Sequence, residues 1–390
     1  MPASDSIIHS MFLIFTGAAV IATLALYARQ ALPVGYIVLG LCLGPWGFGM
    51  VSDPAVIADV ANIGIIFLLF LLGLNLEPGD LHRVFKEALA VTAISCLTFG
   101  ALGIGIAALF EYTLLECLLI GAAMMFSSTI IGLKLLPTTA LHHQRMGEII
   151  VSILLLQDIV AVFILLLLQG AGGTDKAVAN MILPVVMLPL MFTAVYLLAK
   201  YVLMRLFMRF DQIREYVFLL TIGWCLGVAE VAELLGLSRE IGAFIAGVAL
   251  ATNPIARFIA ESLKPLRDFF LIMFFFALGA SFDMRTLRDV ALAALVLAGA
   301  AVLIKPYLFK LLLRREHETE RLAGEIGVRL GQISEFSLLI AIVAASSKLI
   351  GANAASLIKA ATIVTFIVSS YWIVLRYPTP IAIDARLRRD

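Results

Sequence analysis

From Ile149 to Leu168 the chain runs twenty residues in which only Ser152, Gln157 and Asp158 are polar. A run of that length is just enough to cross the hydrocarbon core of a bilayer as a helix, which would set Asp158 near the midplane. A carboxylate there costs roughly 2.5–3.5 kcal/mol on insertion scales, so it has to be paired, protonated or in contact with a water-filled cavity. Two readings stay open for Asp158. It is either a permanent ion-pair member that fixes helix register, or a carboxylate alternately protonated and loaded with a cation. An acid inside a membrane is a functional hypothesis by default. Gln157, about 100° further round the helix, offers either a neutral carbonyl ligand or a helix-to-helix hydrogen bond.

The rest of the chain agrees with a membrane setting. Of 390 residues, 62% are hydrophobic and 14% charged, and the mean hydropathy is +1.06, whereas soluble domains run at about 45–50% apolar and 25% charged. The net charge of +1 says little about partners, because in such a chain the location of charges outweighs their sum. Membrane lipid is the one partner the composition implies, and no nucleic acid is expected. Cys42, Cys96, Cys117 and Cys225 lie in apolar segments without CxxC spacing, so neither a disulfide framework nor a zinc site is indicated. His142 and His143 sit in a basic loop and read as solvated; Glu230 and Glu233 read as interfacial. The first apolar run starts at Ile7 with no basic residue before it, and reads as a retained helix rather than a cleaved signal.

Charged breaks between apolar runs give an all-α polytopic membrane protein of about 13 transmembrane helices. The fifth segment falls near 113–133, the sixth near 147–169, the eleventh near 288–312 and the twelfth near 319–347. With the N-terminus outside, 20 of the 28 Lys and Arg fall on inner loops, adjoining helix ends and the C-terminal tail; six fall outside, and Lys305 and Arg329 stay within the membrane. The positive-inside rule therefore predicts an outer N-terminus and a cytoplasmic C-terminus.

The chain also repeats itself. VGYIVLGLCLG from Val34 is echoed by IGAFIAGVALA from Ile241, 207 positions on, and FLLFLLGLNLEPGDL from Phe67 by MFFFALGASFDMRTL from Met273, 206 positions on. Seven helices separate each segment from its copy, so the copies are inserted in opposite senses. An inverted repeat is the architecture of secondary transporters, whose sites form near the midplane on discontinuous helices. The offset of 207 carries Ser128, in AAMMFSSTIIG, to Glu335, in VRLGQISEFSLLIA. Segments five and twelve are thereby expected to be broken helices, with Ser127, Ser128 and Thr129 at the first break.

Three more charged residues fall in apolar segments. Lys305 either snorkels toward the inner interface along its aliphatic stem or balances Asp158 and the negative half-helix ends. Glu335, if the twelfth helix breaks over residues 331–334, starts the second half, where its carboxylate is favoured by the local dipole. Arg329 lies six residues earlier and shares no face with Glu335 on a continuous helix.

Taken in order, FSSTIIG, the QD pair, LGLNLEP, LGLSREIGAFIAGVALA, FFLIMFFFALGASFD, VLIKPYLFKLLLRR and QISEF resemble the membrane domain of Kef-type potassium/proton antiporters, in the monovalent cation:proton antiporter-2 family. The resemblance implies a sodium/proton antiporter-like fold with crossed discontinuous helices 5 and 12, in a homodimer in a prokaryotic inner membrane. It implies one transport domain over 1–390. Residues 1–56 and 180–255, with linking helix 7, would form the scaffold and dimerisation part, and 57–170 and 265–376 the ion-binding core. It implies that Asp158 carries the ion and the proton, with Gln157, Ser127, Ser128 and Thr129 beside it. Lys305 and Glu335 would be charge-compensating. No cofactor is implied beyond the transported potassium or sodium ion and the proton. Two departures stand out: Ile333 and Ser334 precede Glu335 where Kef-type chains have two glycines, and Arg329 is an added charge. Kef-type proteins continue into a glutathione-gated nucleotide-binding domain, and any such regulatory domain or subunit is absent from these 390 residues.

One titrating carboxylate predicts competition between cation and proton and an electroneutral one-to-one exchange, a transporter rather than an enzyme. An intramembrane aspartyl protease needs two carboxylates sharing a proton, and the sequence shows no second buried Asp and no GxGD motif. A sodium-coupled organic-solute symporter, or a transport-inactive sensor or channel on the same fold, are the alternatives.

Overall fold

The computed structural model describes residues 3–28, 30–51, 54–74, 78–136, 145–171, 177–210, 213–251, 253 and 255–379. The loop with His142 and His143 lies outside the described residues. Every described element is a helix: α1 (Ala3–Tyr27), α2 (Leu32–Leu43), α3 (Pro54–Leu74), α4 (Pro78–Leu109), α5 (Leu114–Met125), α6 (Thr129–Lys134), α7 (Arg145–Ala171) and α8 (Ala177–Leu198). A π turn at Ala199–Leu203 leads into α9 (Met204–Phe210), followed by α10 (Arg214–Leu234), α11 (Arg239–Ala251), α12 (Ile255–Ser262), α13 (Lys264–Ala280), α14 (Met284–Arg315), α15 (Glu320–Arg329), α16 (Glu335–Ser346) and α17 (Ala352–Arg376). Among the described residues eight helical stretches are long and apolar enough to cross a bilayer. The polytopic all-α reading therefore holds.

The chain forms two compact units. The first comprises Met1–Ile14, Val51–Leu81 and Leu166–Leu278. Its apolar core centres on Phe70, Phe207, Cys225 and Ala243, and Phe67 stacks on Phe270 with ring centroids 5.1 Å apart. The indole of Trp224 on α10 donates to the Ala246 carbonyl on α11 (3.1 Å). Gly73 of α3 lets the backbones touch, since a Cβ there would overlap the Phe244 carbonyl of α11, and small residues are what permit such approach between membrane helices.

The second unit comprises Phe15–Met50, His82–Leu165 and Gly279–Asp390. Within it Gly279 makes the corresponding approach to the Ile37 carbonyl of α2. Gly73 and Gly279 are 206 positions apart. A helix of the first repeat thus meets one of the second, and the copy of the former meets the parent of the latter, which is the exchange a pseudo-two-fold repeat requires. The unit is built around α14, which packs along α15 and α17, while α16 lies against α5 and α17. Asp283 caps α14 by accepting from the Arg285 amide (2.8 Å). Thr113 and Glu116 form a capping box at the start of α5, and Glu116 also accepts from the Gly351 amide (3.0 Å). One carboxylate therefore satisfies orphan donors at two helix starts.

Candidate ion site at two helix breaks

Both expected interruptions are present. Helix α5 stops at Met125, Phe126 is extended (φ −92°, ψ 151°), and α6 begins at Thr129. Helix α15 stops at Arg329, Ser334 is extended (φ −92°, ψ 157°), and α16 begins at Glu335. Serine restarts each helix: Ser128 Oγ accepts from the Ile131 amide (3.1 Å) and Ser334 Oγ from the Phe336 amide (3.1 Å). A serine side chain competes with the helical ladder in a helix interior and satisfies an orphan donor at an N-cap, so the sequence FSST and the sequence QISEF each end one helix and begin another. The two caps are 206 positions apart. The structural partner of Ser128 is therefore Ser334, and that of Glu335 is Thr129, one residue away from the pairing the 207 offset suggests.

The breaks are bonded to each other. Ser127 Oγ donates to the Leu330 carbonyl (2.8 Å), and Gln332 Nε2 to the carbonyls of Ser128 (3.3 Å) and Arg329 (2.9 Å). Gln332 Oε1 accepts from Ser369 Oγ (3.0 Å), and Thr365 Oγ1 from the Ile333 amide (3.1 Å). Irregular backbone at membrane depth needs such partners. Gln332, Thr365 and Ser369 were not singled out from sequence. Their signal was legible all the same: Thr362, Thr365 and Ser369 follow helical spacing along one face of an apolar helix.

The sequence-expected residues converge here. Gln157 Oε1 accepts from the Ser127 amide (2.9 Å), and its Nε2 donates to the Met125 carbonyl (3.4 Å). Of its two readings, the structure favours the hydrogen bond, made to the backbone of the break. Lys305 is fully buried, with Nζ donating to the Phe126 carbonyl (2.6 Å) and the Gln332 carbonyl (3.0 Å) and lying 5.1 Å from the centre of the Phe99 ring. It does not snorkel. One ammonium meets both breaks, where half-helices end and their dipoles are negative.

The carboxylates are less completely satisfied. Asp158, 2% exposed, accepts from Thr129 Oγ1 through Oδ2 at a long 3.4 Å, and its Oδ1 has no hydrogen-bond partner among the described residues. Glu335 accepts from the Ile130 amide through Oε1 (3.2 Å), yet its buried Oε2 has no partner among the described residues. The two buried cations are engaged elsewhere. Arg329, fully buried, donates from Nε and Nη2 to Glu325 Oε1 (3.1 and 2.8 Å), from Nη1 to the Leu135 carbonyl (2.9 Å) and from Nη2 to the Pro378 carbonyl (2.8 Å). Glu325 escaped the sequence reading, although its i, i+4 spacing to Arg329 is that of a helical ion pair.

Two helices broken within apolar segments, bonded to each other at the breaks and closing on buried carboxylates and a lysine, define the class: a secondary transporter of the inverted-repeat type. The chain belongs to the family of transmembrane sodium/hydrogen exchangers, whose family model matches residues 12–375. It is 29% identical over 352 residues to the iron transporter MagA of Paramagnetospirillum magneticum, covering 88% of this chain and 80% of that protein. It is 30% identical over 333 residues to the glutathione-regulated potassium-efflux system protein KefC of Enterobacter sp., covering 84% of this chain. The chain spans about half, 54%, of that relative's length. The fold is similar to that of the sodium proton antiporter MjNhaP1 from Methanocaldococcus jannaschii solved at pH 8, with a TM-score of 0.71 at 17% identity over 96% of this chain and 97% of the other. An electron-microscopy structure of the same antiporter gives 0.66 at 18% identity, covering 96% of each chain. The resemblance to Kef-type chains holds, and family and fold are those of cation:proton antiporters.

Proposed function

We propose that this protein exchanges a monovalent cation for protons across a prokaryotic inner membrane, with Asp158 as the shared carrier. The observation that carries the reading is a buried carboxylate half-way along a helix long and apolar enough to cross a bilayer, beside a helix break, with one oxygen left without a hydrogen-bond partner among the described residues. A protonated Asp158 or a cation-bound Asp158 can cross with a moving core at low electrostatic cost, and a bare anion cannot. Proton and cation then compete for one group, and alternating access couples their fluxes. The donors around Asp158 are oxygens, which suits a hard cation. Potassium is preferred over sodium on the QD pair and the 30% identity to a potassium-efflux protein. Lys305 holds the carbonyl ends of the two breaks, and Gln157 orients the first.

An outer N-terminus and cytoplasmic C-terminus are supported by the distribution of Lys and Arg. A homodimer, and a regulatory nucleotide-binding domain or subunit outside these residues, belong to the same proposal. So does the division into scaffold (1–56, 180–255) and core (57–170, 265–376). The compact units follow contact rather than motion, and they group Val51–Leu81 with Leu166–Leu278.

The test is proton flux in liposomes containing the purified protein, with a pH dye inside, on adding potassium, then sodium, then each to Asp158→Asn. A cation-driven signal that disappears in the variant is expected. Proton-coupled transport retained in Asp158→Asn would sink the reading, current without a proton requirement would favour a channel, and silence toward both ions would favour a sensor.

A further inference from the structure

Each break is tied to the long helix of its own half in the same way. Gln157 of α7 accepts from the Ser127 amide (2.9 Å), and Thr365 of α17 accepts from the Ile333 amide (3.1 Å). The two amides are 206 positions apart, each one residue before a capping serine. The residue after each acceptor differs in kind: Asp158 in the first half, the fully buried Phe366 in the second. Gln332 departs from the symmetry as well. The residue 206 positions before it is Phe126, which has no polar side chain to make the reciprocal contact.

Gln332 has no bonding capacity left over on its nitrogen. Its two amide protons go to the Ser128 carbonyl (3.3 Å) and the Arg329 carbonyl (2.9 Å), and its Oε1 accepts from Ser369 Oγ (3.0 Å). Two carbonyls at one end and a hydroxyl donor at the other fix which way round the amide lies. The Ser128 carbonyl belongs to the planar peptide unit that ends at the Thr129 Cα. The Thr129 hydroxyl is in turn the donor that meets Asp158 (3.4 Å), so displacing that carbonyl displaces the hydroxyl. Irregular backbone inside a membrane needs partners, and a tie required for the fold alone would recur in both halves, as those of Gln157 and Thr365 do. The Gln332 tie runs only toward the half that carries the aspartate.

We infer that Gln332, oriented by Ser369 of α17, is a positioning residue for cation binding: it fixes the Ser128–Thr129 peptide and thereby the place of the Thr129 hydroxyl at Asp158. This rests on the exchange reading above and deepens it, because it makes a helix of the second half, through Ser369, set the cation affinity of a site whose carrier lies in the first.

The experiment titrates liposomes containing the full chain with potassium chloride, and separately with sodium chloride, and reads the half-saturating cation concentration apart from the maximal rate. Gln332→Met is expected to raise half-saturation about tenfold and Ser369→Ala about threefold, the scale of one or two lost hydrogen bonds, with the maximal rate close to wild type. Ser369→Thr, which keeps a hydroxyl, should restore the wild-type value. The control is Ser370→Ala: this equally buried neighbour bonds back to the Phe366 carbonyl of its own helix (2.6 Å), and its loss should leave half-saturation unmoved. A wild-type half-saturation in Ser369→Ala overturns the inference, and so does an equal shift in Ser370→Ala. If Gln332→Met does not fold, the Ser369 variants decide. If Ser369→Ala folds without turning over, the cation-induced rise in Tm of the detergent-purified protein reads the affinity instead: a rise that needs more cation than in Ser370→Ala supports the inference, and equal curves overturn it. Asp158→Asn separates the two levels. Exchange retained there removes the underlying reading, whereas exchange lost there with Ser369→Ala at the wild-type value removes this inference alone.

Discussion

Two buried charge clusters lie in the same unit, and they are finished differently. Around Arg329 all three guanidinium nitrogens have an acceptor: Glu325, the Leu135 carbonyl and the Pro378 carbonyl, with the Tyr377 ring 5.9 Å away. Around Asp158 and Glu335 each carboxylate has one bonded oxygen and one without a partner among the described residues. A closed cluster holds a fold, and the open one is where the proposed exchange places its ion. In hydrocarbon the difference is costly, since an unsatisfied buried acceptor forfeits about 1–3 kcal/mol, and more when charged. On the proposed reading, a sequence that keeps it gives up stability for exchange.

The contrast can be broken by substitution. Asp158→Asn is expected to have the largest effect, abolishing dye-detected exchange while leaving Tm in detergent equal to or above wild type. Arg329→Met is expected to do the reverse. It strands Glu325 and should lower stability by about 3–5 kcal/mol, measured as a fall in Tm, with Arg329→Met/Glu325→Leu recovering most of it. Between these lies Lys305→Met, which strands the Phe126 and Gln332 carbonyls at a cost of about 1–3 kcal/mol and should slow exchange as well. The smallest effect belongs to Arg239→Ala. Its pairs with Glu230 and Glu233 are exposed, so a change below about 1 kcal/mol is expected.

Much of this was legible in the sequence, for reasons that can be stated residue by residue. A bilayer imposes length and hydropathy on its helices, so the all-helical membrane setting and the burial of Asp158 follow from apolar runs alone. The inverted repeat located both breaks, because the same hydrogen-bonding problem recurs 206 positions apart. What the runs could not convey was which partner each polar side chain takes. Lys305 sits within reach of the inner interface by helical rise, and only the convergence of two carbonyl ends draws it inward. Gln157 could face an ion or a backbone, and the Ser127 amide decides. Arg329 looked surplus because its acceptors, at Leu135 and Pro378, are far away in sequence. Glu335 was read as compensating a helix end, and the alignment by 207 rather than 206 hid that it takes the place of Thr129 in the second half, next to a serine that already caps.

The most direct test of the open cluster is thermal: Tm of the purified protein in potassium or sodium chloride against choline chloride at equal ionic strength and pH. A ligand at about 100 times its Kd adds about 2.7 kcal/mol of stability, so a cation that fills the gap beside Asp158 should raise Tm in wild type and in Arg329→Met, and leave Asp158→Asn unmoved. An equal rise in Asp158→Asn, or none in wild type with either ion, would contradict the assignment of the unsatisfied carboxylate as the cation site.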